Sequence, residues 1–160
     1  MAADMLVKLY ELPPMDEYQK KMEQQHILIR RPIGPENLAV MGWIRDHFSA
    51  TWAGEAENAF FRSPKGMFVA INEDSGEMVG FACYDATAKG FFGPTGVDEN
   101  ERGKGIGATL LLKCLYAMLE EGYAYGIIGD AGPMEFYKKL CGAIPIADSV
   151  PGIYKGMLTR

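Results

Sequence analysis

The chain has 160 residues, 48% of them hydrophobic and 23% charged, with 16 basic against 21 acidic side chains and a net charge of −5. That supplies apolar material for one core, and an acidic chain without a basic run is a poor candidate for binding nucleic acid. No apolar run approaches the roughly 20 residues that span a bilayer, and no signal-peptide core opens the sequence, so a cytoplasmic protein without a membrane contact is expected. The cysteines, Cys83, Cys114 and Cys141, are odd in number and widely spaced, which predicts reduced core residues. The two histidines, His26 and His47, sit near none of them, so no metal site is expected.

Residues 1–25 begin apolar, break at Pro13-Pro14 and continue as a charged, helix-forming stretch. They read as a helical appendage packed on a domain of residues 26–160, or as a homodimer contact. "HILIRRP" is partly alternating and β-branched, a first strand. Pro35 opens a helix that runs to about Phe48, and "EAENAFFRS" gives a second, ended by Ser63-Pro64. "KGMFVAIN" and "EMVGFACYD" are strands joined by the turn "EDSG". "GFFGPTGV" is a fourth strand interrupted by Gly93-Pro94. A long helix covers about Lys104 to Glu121, with Gly122 placed to end it. "YAYGIIG" is a fifth strand and "GPMEFYKKLCG" a short helix closed by Gly142. "AIPI" and "GIYKGMLT" are expected to finish the chain as two strands. The order β-α-α-β-β-β-α-β-α-β-β predicts an α/β (α+β) fold with a mixed, mostly antiparallel sheet and helices on both faces.

The stretch "VDENERGKGIGATLL" is the most informative. A strand ending near Val97, a short loop and a glycine-flanked helix start make an anion site. First-turn N–H groups lack intrahelical partners, and the macrodipole adds positive charge there. Missing Cβ atoms at Gly103, Gly105 and Gly107 admit phosphate oxygens, and Arg102 and Lys104 add charge. A Walker A loop fails, because Asp98 stands at its first glycine position and Gly105 where Ser or Thr is needed. A dinucleotide fingerprint would run Gly103, Gly105, Ala108, but three antiparallel-looking strands precede it instead of one strand opening a βαβ unit.

At "RGKGIG" the sequence resembles the GNAT superfamily of acyl-CoA-dependent N-acyltransferases, whose R/Q-x-x-G-x-G/A signature is met by Arg102, Gly105 and Gly107. "EFYKKLCGAIPI" is similar to the family's later F-Y-x-K-x-G-A/F segment, and the element order matches. The resemblance implies that the fourth and fifth strands splay and admit pantetheine, with backbone groups near Val97 polarising the thioester. It also implies that Arg102, Gly103, Lys104, Gly105, Ile106, Gly107 and Ala108 hold the pyrophosphate of acetyl-CoA. The implied reaction is acetyl transfer to a primary amine of a small molecule or peptide by direct attack in a ternary complex. A CoA-binding sensor without activity is the other reading.

Tyr137 matches the family tyrosine that protonates the leaving thiolate. Asp130 stands where the family often has Asn; it is a base for the amine or a cap on the following helix. On the first helix Leu38, Met41, Ile44 and Phe48 form one stripe, and Val40, Trp43 and His47 a second. Trp43, His47 and nearby Trp52 are candidates for the acceptor pocket, the alternative being that Trp43 is core and His47 a surface residue.

Overall fold

The computed structural model describes residues 1–159. Its sheet grows from the hairpin β3 (Met67–Asn72) and β4 (Met78–Tyr84). The edge strand β2 (Ile27–Arg30) pairs with β3, and β5 (Phe91–Val97) pairs with β4, all antiparallel. β6 (Tyr125–Ile128) runs parallel to β5. Beyond it lie β1 (Met5–Lys8) and the two-residue β7 (Ile144–Pro145), so the order in the seven-stranded sheet is β2-β3-β4-β5-β6-β1-β7.

Residues on β3 and β4 alternate between the two faces, as a strand with both sides covered must, except at the bulge that brings Val79 to the side of Ala82. Phe68, Ala70, Val79, Ala82 and Tyr84 enter one core, together with Leu110, Leu111, Cys114, Leu115 and Met118 of α4 (Ile106–Glu120). Met67, Val69, Phe81 and Cys83 enter the other, under α2 (Asn37–His47) and α3 (Ala50–Phe60). α1 (Asp16–Gln24) and α5 (Met134–Cys141) lie on the α4 side through Met22, Tyr137 and Cys141. The three cysteines are reduced and buried, as the sequence suggests. Among the described residues, no helix is long and apolar enough to cross a membrane.

Four expectations change. The apolar start of the chain is not an appendage: Met5 and Val7 are buried, and β1 is inserted antiparallel between β6 and β7. "GIYKGMLT" is not a strand; it forms a 3-10 turn over Gly152–Tyr154, and positive φ at Gly152 and Gly156 breaks any extended run. Leu38 leaves the core stripe and is 85% exposed, while Met41 and Ile44 stay inside. α3 also begins earlier than expected, because Ser49 Oγ accepts from the Trp52 N–H at 3.1 Å and caps it.

Candidate active site

β5 and β6 share only two paired positions, Phe91↔Ile127 and Phe92↔Ile128. The cause is visible in the register against β4, which advances from Ala82 to Tyr84 while β5 spans Thr95 to Phe92, one residue more. That extra residue falls at Gly93-Pro94, the interruption noted in the sequence. A bulge bends its strand, and proline has no N–H to give a neighbour. From Gly93 to Val97 the edge of β5 facing β6 therefore runs without a strand partner.

The gap opens into a cleft of about 510 Å³. One wall is β5 at Thr95, Gly96 and Val97; the head of α4 closes one end, and Tyr137 of α5 stands across from it. Phe48 and Trp52 form the floor, their rings stacked with centroids 5.1 Å apart. Phe48 lies so close over Gly96 that any side chain there would overlap its ring. The sequence held a signal for this: glycine inside a strand marks close approach.

The glycine loop meets the cleft through Arg102, Gly103, Gly105, Ile106, Gly107 and Ala108. Gly103 and Gly105 have φ of 83° and 84°, the left-handed region that favours glycine. Gly105 serves as N-cap of α4, and its carbonyl accepts from both the backbone N–H and the hydroxyl of Thr109. A helix begun this way leaves its first amides free for an anion. Lys104 departs from expectation: its ammonium pairs with Glu101, and it does not line the cleft. A cation missed in the sequence lies against the loop, although it does not line the cleft either. Lys21 of α1 lies over Gly105, its Nζ 3.2 Å from where a Cβ would sit. Gln25 fixes α1 there by donating to the Lys104 carbonyl at 2.9 Å.

Tyr137 is 8% exposed, packed in the core and lining the cleft. Burial raises its phenol above the ordinary value, with a smaller contribution from Cys141. Asp130 does not cap α5, whose N-cap is Pro133; its Oδ1 accepts from the Ala2 N–H at 2.7 Å. It lines a second cavity of about 690 Å³, which shares Trp52 and Phe92 with the first. Trp43 and His47 line neither. They stack at 4.0 Å in a separate groove with Asp98, whose Oδ2 is 3.3 Å from His47 Nε2. Of the three acceptor candidates, only Trp52 stands at the gap.

Splayed parallel strands and a glycine-capped helix head facing a buried tyrosine define a site for an extended, phosphate-bearing ligand. Residues 37–143 match the Acetyltransferase (GNAT) family, and the chain belongs to it. No curated protein sequence matches the chain. Among solved structures, the GCN5-related glucosamine N-acetyltransferase region of a fungal multi-domain β-N-acetylglucosaminidase is similar over 90% of this chain, at 14% identity and a TM-score of 0.74. A GCN5-related N-acetyltransferase from Sphaerobacter thermophilus covers 90% of it at 21% identity and 0.68. A GNAT family acetyltransferase from Brucella melitensis, in complex with acetyl-CoA, covers 72% of it and 81% of its own length, at 18% identity and 0.56. This chain spans 19% of the fungal protein and 48% of the Sphaerobacter one. At these identities the likeness is one of fold.

Proposed function

We propose that the protein is an N-acetyltransferase that moves an acetyl group from acetyl-CoA to a primary amine within a ternary complex. The observation that carries this reading is the gap between β5 and β6 with a phosphate-type helix head at one end and Tyr137 at its wall. The cradle suits the group: two glycines in left-handed conformation, free first-turn amides, and Arg102 with Lys21 as flanking cations. The unpartnered edge of β5 offers backbone groups to a pantetheine arm as a neighbouring strand would. Acetyl-CoA supplies an activated thioester. The residues of the chain then position it, exclude water with Phe48 and Trp52, and return a proton from Tyr137 to the departing sulfur. In balance, the N–C bond forms and the C–S bond breaks; the ammonium sheds two protons, one of which passes to solvent while the other replaces the proton that Tyr137 gives to the sulfur.

Two measurements test the reading. Calorimetry with coenzyme A should give a saturable isotherm, and release of free thiol from acetyl-CoA should depend on added amine. Binding without amine-dependent thiol release would favour the sensor reading; absence of binding would overturn both.

A further inference from the structure

The groove that holds Trp43 and His47 reaches Asp98, where β5 gives way to the glycine loop. His47 is the last residue of α2, and both its ring nitrogens face groups that only accept. Nδ1 lies 2.9 Å from the Trp43 carbonyl, and Nε2 lies 3.3 Å from Asp98 Oδ2. The imidazolium, with a proton on each nitrogen, completes both contacts at once. Stacking on Trp43 at 4.0 Å holds the plane of the ring. A cation in the last turn of α2 is also favoured by the free carbonyls of the helix.

Asp98 sets the entry into the loop. Its N–H donates to the Val79 carbonyl at 2.8 Å, which ties it to β4. Its carbonyl accepts from the Glu101 N–H and its Oδ1 from the Asn100 N–H, each at 2.9 Å, closing the 3-10 turn Glu99–Glu101. Its Oδ2 is left for His47, which carries the connection to the layer of α2 and α3. Phe48, next in the chain, lies over Gly96. The end of α2 thus grips β5 at both neighbours of Val97, by a ring on Gly96 and a charge on Asp98. Arg102, Gly103 and Gly105 follow directly and lead to the head of α4.

Resting on the acetyltransferase reading, we infer that His47 is a positioning residue for the acyl carrier, acting through Asp98. One ligand has to span from the free edge of β5 to the amides of α4, so the distance between the two must be set before it binds. His47 sets it by fixing the turn Glu99–Glu101 and the loop that follows. Neither side chain of the pair lines the cleft, so the influence is indirect. The side chains are 34% and 26% exposed, and a pair so placed adds little to global stability. Its effect falls on binding: a loop left free must be ordered each time the ligand enters, which weakens affinity and leaves the chemistry alone.

The test is a double-mutant cycle in the full chain, with His47→Leu, Asp98→Ser and the two combined. It reads coenzyme A affinity by calorimetry and the KM of acetyl-CoA by thiol release. Leucine still covers Trp43, and serine still caps the Asn100 N–H but no longer reaches His47. Each single variant should weaken coenzyme A binding and raise KM about three- to fivefold. The kcat at saturating acetyl-CoA should change by less than about twofold, and the melting temperature by at most a few degrees. The combined variant should bind no more weakly than either single one, since both remove the same contact. His47→Arg returns a cationic donor to Asp98 and should recover the parent affinity. Unchanged affinity in the single variants, losses that add in the combined one, or no recovery with arginine would each overturn the inference. Coenzyme A binding by the parent separates the two levels: where the parent binds, those outcomes sink this inference alone, and where it does not, the acetyltransferase reading falls with it.

Discussion

Tyr137 combines two demands on one side chain. Its ring belongs to the core that α5 shares with α4, and it also lines the cleft. Because burial raises the phenol above its ordinary value near 10, it stays protonated through the neutral range. Tyr137→Phe keeps the packing and deletes the proton. Turnover in the thiol-release assay should fall at least tenfold, about 1.4 kcal/mol of barrier, with coenzyme A affinity by calorimetry unchanged. In the parent protein any loss of rate assigned to this phenol should begin only above about pH 10. The residue was singled out by the resemblance of "EFYKKLCGAIPI" to the family's later segment; the pattern alone gave only a short helix closed by Gly142. The reach of Phe48 over the cleft was not legible. Helical spacing put it in a stripe with Met41 and Ile44, and it does pack against their core, but α2 ends at His47 and the ring also lies over Gly96. Periodicity does not register the point where a helix stops.

At the scale of elements, the strand-loop-helix around Gly105 was readable because its chemistry is local. Glycines, charges and the leucine-rich helix follow one another within a few turns. Gly105→Ala forces a side chain into φ of 84° and against Lys21. The left-handed conformation costs roughly 1–2 kcal/mol without glycine, so thermal unfolding should move down, and coenzyme A affinity should drop about tenfold. Lys21→Ala should separate these effects. It removes a cation that is unfavourable at the head of α4 but favourable in the last turn of α1, two effects of similar size and opposite sign. Its melting temperature should therefore change little while coenzyme A binds several-fold more weakly, the more so at low salt. A lower melting temperature with unchanged affinity would make Lys21 a packing residue. No sequence rule points to Lys21, since α1 and the loop meet only in the folded chain. Trp43 and His47 show the converse. They share a stripe as expected, but α2 turns that stripe toward Asp98, away from the gap.

For the molecule as a whole, the departure from expectation is the placement of β1. Four residues before a double proline carry too little signal to reveal a partner more than a hundred positions away, and strand pairing is not a local property. "GIYKGMLT" misled for the same reason, its apolar residues suggesting pairing that its glycines prevent. Val7 is fully buried on β1, and Val7→Ala removes two methyl groups, about 1.6 kcal/mol at 0.8 per buried carbon. The single unfolding transition should shift down by roughly 3–6 °C, whereas a detachable terminal segment would leave the melting temperature in place.

The position of β1 also bears on how the fold is reached. The Ala2 N–H meets Asp130 across a separation of 128 residues, and β1 has its partners on strands made late in synthesis. On the ribosome, the opening segment must therefore wait with its apolar face unclaimed until β6 emerges. Contacts of such long reach slow folding, and they leave the second cavity, lined by residues from Met1 to Met157, among the last features to form.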